Sequence, residues 1–470
     1  MNGSQGRLRR GVGDPFGGFA PESPCGARTD PGGFASQARS VRLPFTAVDE
    51  TADLLERRGE PNVILLELAV GGRLDEARLR TAVRDALGAH PMARARKAAD
   101  GLWHCRSSWE IPAAPDLDPL TVAAPGALRA DERRQAMDTA VPLGVSPLLR
   151  IRLLPGGGDG DRLLVVTHHA LFDAISCLGL VTSVIRRYNG APDPVAEVDP
   201  ALARTLPPPA PAPVRAQRAR PARPVRVARV GTAGAEGYGC VLHALGASAT
   251  EALATGARRQ GATVNDLLIT GLALALARWN REHGGQVTPL RITMPINARP
   301  ADSRFEVISN LSRLTSIDIA DGRDPAALLV SVAQQTRLAK RTQAPAGGPA
   351  ALLLGAPRLP YAVRRSLVPV VRTVARRYAD TTMLSNLGRL PALPSFDGAG
   401  PITHLWMAAP APMPRGLSVS ALTVEDRLHL AVRHRRGVLD TAAATAFTGR
   451  LVAAFAELAE LPAAPEQLPI

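Results

Sequence analysis

Residues Leu163 to Ala174 read L-L-V-V-T-H-H-A-L-F-D-A: a β-branched apolar run, two adjacent histidines, His168 and His169, and Asp173 four residues after the second. The run reads as a buried strand, which places both histidines at its end, where side chains from a rigid scaffold commonly do chemistry. Neutral imidazole titrates near physiological pH and can take a proton from an attacking hydroxyl or amine. Two other readings of the same residues stay open at this point. Both histidines can be satisfied core side chains, and imidazole with carboxylate can reach one metal ion, although no third ligand of matching spacing appears.

Working outward, Leu148–Leu154 and Arg162–Thr167 are predicted strands joined through Pro155, Gly156, Gly157 and Gly158. Upstream, V-I-L-L-E-L-A-V from Val63 is a buried strand, and the helical spacing of Leu79, Val83 and Leu87 predicts a helix with Asp75 at its start. Downstream, residues 201–236 carry Pro207, Pro208 and Pro209 and seven arginines from Arg204 to Arg229, a composition expected of an interdomain linker. A second α/β half follows, with a helix predicted over Thr263–Arg281 and a strand over Leu290–Ile296. The expected organisation is a disordered tail over 1–42, an N-terminal lobe over 43–200, the linker over 201–236 and a C-terminal lobe over 237–462.

Composition narrows the functional classes. Apolar residues make up 46% and charged residues 21% of the 470-residue chain, enough apolar surface for sizeable cores. Cys25, Cys105, Cys177 and Cys240 lie far apart with no C-x-x-C pair, so neither a zinc knuckle nor a disulfide framework is indicated and a reducing cytoplasm is expected. The N-terminus lacks the apolar core of a signal peptide. The most apolar stretch, Leu267–Ala277, is too short for a membrane span. The net charge of +14 rests almost wholly on arginine, since Lys97 and Lys340 are the two lysines among 56 basic residues. Aromatics amount to 4% and do not interleave with the basic residues, so a nucleic-acid partner is not expected.

The central stretch resembles the H-H-x-x-x-D-G motif of the condensation-domain superfamily, which includes chloramphenicol acetyltransferase, peptide-synthetase condensation domains and wax ester synthases. Further elements are similar in the same order. L-P-F-T-A-V-D-E at Leu43 looks like the family's opening, Ala89–Arg96 like its H-P-x-L-R signature, and T-V-N-D-L-L at Thr263 like the wax ester synthase N-D element. Met294–Pro300 resembles the segment whose arginine pairs with the motif aspartate, Phe305–Leu311 the G-N segment, and L-S-N-L-G-R-L-P at Leu384 the S-N-x-G element. The resemblance implies two chloramphenicol-acetyltransferase-like lobes forming a V-shaped pseudo-dimer with a central channel. It implies His169 as the base, His168 as loop support, and Asp173 turned away to pair with Arg299. Asn386 or Ser385 is the candidate oxyanion donor or substrate contact, Asn386 being otherwise a turn residue before Gly388.

No permanently bound cofactor is implied. The donor would be a coenzyme A or carrier-protein phosphopantetheine thioester, and the acceptor an alcohol or amine, with ester formation favoured, as in secondary metabolism or lipid biosynthesis. The alternatives are a stand-alone peptide-synthetase-type enzyme forming an amide and a catalytically silent relative that binds a carrier protein. Ala174, where the motif has glycine, would strain a backbone needing positive φ and cost little in any other conformation.

From Ala326 to Ala379 there is no Asp or Glu, while Arg337, Lys340, Arg341, Arg358, Arg364, Arg365, Arg372, Arg376 and Arg377 occur. A solvated helix face, a dock for an acidic carrier protein or coenzyme A phosphates, and a membrane-surface helix with Leu367, Val370, Val371 and Val374 on its apolar side are the three readings.

Overall fold

The computed structural model describes residues 40–57, 59–101, 103–193, 223–299, 308–319, 324–342 and 359–462. The tail expected over 1–42 therefore lies outside the described residues, save for its last three positions.

Val41–Pro44 (β1) leads into Ala47–Leu55 (α1), and Val63–Val70 (β2) into Glu76–Ala89 (α2). The short strands Arg96–Lys97 (β3), Ser108–Ile111 (β4) and Leu120–Val122 (β5) precede Arg129–Asp138 (α3). Leu149–Leu154 (β6) and Arg162–His168 (β7) then run into Ala174–Tyr188 (α4). The second half opens with Tyr238–Ala244 (β8), Ala247–Arg259 (α5), Val264–Glu282 (α6), Leu290–Asn297 (β9) and Ser312–Ile319 (β10). Helices Pro325–Thr342 (α7) and Tyr361–Tyr378 (α8) follow, then strands Thr382–Arg389 (β11), Ile402–Ala408 (β12), Leu417–Val424 (β13) and Arg427–Arg435 (β14), and helix Thr441–Ala459 (α9).

Local chemistry sets the boundaries. Asp75 caps α2 by accepting from the Arg78 amide at 2.8 Å. Thr263 and Asp266 form a reciprocal capping box at the start of α6, and the remaining Asp266 oxygen accepts from Thr336 Oγ1 at 2.6 Å. The N-D element is thus a helix start tied to α7.

Two large sheets and a small three-stranded one, β1-β4-β3, organise the described residues. A five-stranded sheet has the order β12-β2-β7-β6-β5, and a six-stranded sheet the order β10-β9-β11-β13-β14-β8. All eight residues of β2 are buried, as expected of a strand covered on both faces. Its edge neighbour β12 comes from the far end of the sequence, pairing Leu405 with Leu68 and Met407 with Leu66. The sheet built from β2, β5, β6 and β7 of the first half is therefore completed by a strand from the second half. Buried Arg433 of β14 adds a second tie, donating from Nη1 to the Val63 carbonyl at 2.7 Å with its guanidinium over the Tyr238 ring.

The stretch expected as a linker differs in its second part. Residues 201–222 lie outside the described residues, but Val225 and Val227 are buried in the core of the second half. The Val225 amide donates to the Pro289 carbonyl at 2.9 Å, and Asn280 grips the segment from both sides, through the Ala228 amide and the Arg226 carbonyl. Alternating valines were enough to dock a segment whose Pro and Arg content suggested a spacer. Among the described residues α9 is long and apolar enough to cross a bilayer, but Phe447, Leu451, Phe455 and Leu458 are buried in the core of the second half.

Candidate active site

Strand β7 delivers His168 as its last residue, opposite Val63 of β2. The next amide, of His169, donates to the Asn62 carbonyl at 2.8 Å, so pairing with β2 continues one residue further and fixes where the loop leaves the sheet. The loop closes as one tight turn in which the Leu171 and Phe172 amides both donate to the His168 carbonyl. Ala170, Leu171 and Phe172 are fully buried beneath it.

His169 is half-buried, and its Nδ1–H donates to the Phe172 carbonyl at 2.8 Å. A carbonyl can only accept, so this bond puts the proton on Nδ1 and leaves the Nε2 lone pair free to take one. Burial pushes the imidazole below its ordinary range. The Phe172 bond and the Asp173 charge act in the opposite direction, while His168 and Arg415 add to the lowering. The ring is consequently neutral near pH 7, the form a general base requires.

His168 is fully buried, and its Nδ1 accepts from the Ala170 amide at 3.0 Å. Its Nε2 then donates to Glu56 Oε1 at 3.2 Å, so both ring nitrogens are spent on holding the loop.

Asp173 turns away from both histidines. It is the N-cap of α4, with Oδ1 accepting from the Ser176 amide at 2.9 Å and from Ser176 Oγ at 3.0 Å. Arg299, 126 positions later and directly after β9, meets it with two parallel bonds, Nη1 to Oδ2 at 2.6 Å and Nη2 to Oδ1 at 2.9 Å. The Leu311 amide and Ser312 Oγ complete the carboxylate at 2.9 and 3.2 Å. Arg299 Nη2 also donates to the Ser309 carbonyl at 2.5 Å. Both charges are buried, and both halves of the chain are joined directly behind the histidine loop. Ala174 is the first residue of α4 and carries no positive φ, so alanine at the motif's glycine position is unstrained.

Asn386 and Ser385 lie on β11. Asn386 Oδ1 accepts from the Gly388 amide at 2.9 Å, where Gly388 has φ +72°, and its Nδ2 lies 3.4 Å from Asn265 Oδ1. This is the turn arrangement, and no hydrogen bond among the described residues joins Asn386 or Ser385 to the His169 loop.

Several residues were not singled out from the sequence. Asn310 Nδ2 donates to the His169 carbonyl at 2.7 Å and so couples the N-terminal loop to the segment before β10. It sits in Phe305–Leu311, so its signal was present. Ser309, in the same segment, and Ser176 knit the ion pair, and Glu56 fixes His168; Ser176 and Glu56 have no motif to mark them. Arg415, between β12 and β13, donates from Nη1 to Thr293 Oγ1 at 3.2 Å and brings a positive charge near His169.

The basic run resolves unevenly. Arg364 is buried and paired with Glu50 at 2.9 Å, and Arg372 donates to the Leu54 and Glu56 carbonyls, so these two staple α8 to α1 rather than face a partner. Arg337 donates to the Gly261 carbonyl, and Arg365, Arg376 and Arg377 remain exposed. Arg358 lies outside the described residues.

No family model matches the chain. The uncharacterized protein Rv2305 of Mycobacterium tuberculosis strain H37Rv is 33% identical over 389 residues, 79% of this chain and 89% of that protein, and its counterpart in strain CDC 1551 matches equally. Among solved structures, the first condensation domain of the calcium-dependent antibiotic synthetase superposes with a TM-score of 0.63 at 18% identity, over 90% of this chain and 98% of that one. The condensation domain of the monacolin K polyketide synthase MokA gives 0.62 at 14% identity over 90% and 98%. SgcC5 from Streptomyces globisporus gives 0.59 at 15% identity over 90% and 100%. The chain belongs to one family with the Mycobacterium tuberculosis protein Rv2305, and its α/β fold is that of the condensation domains.

Proposed function

We propose that the chain is an acyltransferase in which His169 Nε2 is the general base. The observation that carries this reading is the 2.8 Å bond from His169 Nδ1–H to the Phe172 carbonyl, which fixes the tautomer while Asp173 is engaged elsewhere. The donor is a thioester, of coenzyme A or of a carrier protein's phosphopantetheine. As the acceptor's oxygen or nitrogen attacks the thioester carbonyl, Nε2 takes its proton. The C–S bond then breaks, and the departing thiolate recovers the proton from Nε2–H. Donor and acceptor approach His169 from opposite sides, between the two sheets.

Asp173 is architecture: its carboxylate is consumed by Arg299, Ser176 and the Leu311 amide, so it does not relay protons. A hydroxyl acceptor is favoured over an amine by SgcC5, whose structure holds an aryl ethanediol. Catalytic silence loses its main support, because Ala174 occupies an ordinary helical position.

The test is release of free thiol from acyl-coenzyme A and acyl carrier protein donors in the presence of alcohol and amine acceptors. His169→Ala is expected to lower turnover by roughly 10²- to 10⁴-fold in a protein of unchanged melting temperature, the usual loss for a positioned base. Unaltered turnover in that variant would remove His169 from the reaction.

A further inference from the structure

Helix α8 has two apolar faces, and one of them is turned to solvent. Tyr361, Val368 and Val371 are buried with Leu54, and Arg364 reaches Glu50 from the same side. Val363, Leu367, Val370, Val374 and Tyr378 follow one another at intervals of three and four residues, which lines them along a second stripe. Val370 and Val374 are 63% and 58% exposed. From Val363 to Tyr378 the stripe runs about 22 Å at 1.5 Å per residue.

Trp103 extends it. The residue after it, His104, accepts the Tyr361 amide with its carbonyl at 2.8 Å and stacks its ring on Tyr361, so Trp103 sits beside the N-terminal end of α8. At 76% exposure it is unlike Trp109, Trp279 and Trp406, all buried. Of the exposed arginines of α8, Arg377 lies beside the stripe while Arg365 and Arg376 lie on the far side of the helix, and Asp and Glu are absent from Ala326 to Ala379.

We infer that α8 and Trp103 form a docking surface for a lipid layer with anionic headgroups, with the valine stripe sunk into the acyl boundary, Arg377 among the headgroups and the acid-free, basic helix drawn to their charge. Charge alone would equally suit an acidic protein. A row of exposed valines on a helix with a solvent-facing tryptophan near its N-terminal end suits the interfacial zone of a bilayer, where apolar side chains are buried and indole and phenol rings settle. The helix lies along the membrane and does not span it. This seating is independent of the acyl-transfer chemistry.

The full chain is sedimented with phosphatidylcholine vesicles and with equimolar phosphatidylcholine–phosphatidylglycerol vesicles, while tryptophan emission is recorded. Binding to the anionic vesicles, weakened by salt, with a blue shift abolished in Trp103→Phe, is the expected result. Val370→Glu with Val374→Glu should lower the apparent affinity at least about tenfold at unchanged melting temperature, because both positions face solvent and the added charge opposes insertion. The variant R365Q/R376Q/R377Q should lose the preference for anionic over neutral vesicles. Failure of the wild type to sediment with anionic vesicles would overturn the assignment. Equal sedimentation of V370E/V374E and wild type would do the same, as would capture of purified acyl carrier protein by this face with vesicles left unbound.

Discussion

Removing either partner of the Asp173–Arg299 pair should unfold the junction between the two halves before it affects any proton transfer. The Asp173 carboxylate accepts six hydrogen bonds, from Arg299 Nη1 and Nη2, the Ser176 amide and hydroxyl, the Leu311 amide and Ser312 Oγ. In Asp173→Asn one end becomes an NH2 group facing donors, and the buried Arg299 charge loses its counterion. Asparagine still caps α4, so the loss reports the pair rather than the cap. Breaking a buried pair from one side costs about 3–5 kcal/mol, a large share of the roughly 5–15 kcal/mol that holds a typical domain.

Arg299→Met strands the carboxylate instead, although four of its six donors remain. The double variant leaves no unpaired charge and should be more stable than the summed single losses by about 2–3 kcal/mol, the upper range for directly interacting neighbours. Urea unfolding of the four proteins at pH 7, followed by circular dichroism, supplies the cycle. Additive losses would refute the idea that this pair holds the halves together. A further discriminating result is activity in whatever fraction of Asp173→Asn remains folded, since a proton-relay role would abolish turnover there and an architectural role would not.

The other expected outcomes follow from the same geometry. His168→Ala should lower stability through loss of the Ala170 and Glu56 bonds while sparing the chemistry of the folded fraction; loss of turnover in a fully stable protein would mean that the two histidines have been given each other's roles. Arg415→Gln removes a positive charge that lowers the His169 pKa, so the acid limb of kcat/KM should move to higher pH, and an unmoved or downward-shifted limb would count against that coupling. Burial holds the His429 pKa down to about 4, so as pH falls below 6.5 the unfolded chain takes up a proton that the folded chain refuses, and stability drops by up to about 3 kcal/mol on reaching pH 4. The stability gap between wild type and His429→Gln should change accordingly between pH 7 and 4.5, whereas parallel pH profiles would show that His429 does not carry this dependence.

What the sequence disclosed and what it concealed divide along physical lines. Strand β2 and helix α6 could be bounded to within a residue or so, because a continuous apolar run and a Thr-x-x-Asp capping box are properties of neighbouring residues. The Asp173–Arg299 pairing was legible through resemblance, since no local rule connects positions 126 apart. Where only tertiary context decides, the reading failed: Arg364 looked like one more charge in a basic run, yet it is buried against Glu50, 314 positions away. Residues 223–236 looked like a spacer because Pro and Arg dominate the wider stretch, yet Val225 and Val227 supply core contacts that composition averages away. Edge strand β12 shows the limit most clearly, because its burial pattern is compatible with either sheet and nothing local says that it crosses to pair with β2. That crossing also bears on the active site. Strand β12 edges the sheet whose strand β7 ends on His168, next to His169, and the chain then passes through Arg415 on its way back to β13 in the other sheet. A charge that adds to the lowering of the His169 pKa is thus carried on the connection leading out of the edge strand of the first sheet, a placement that no residue of the H-H-x-x-x-D motif reveals.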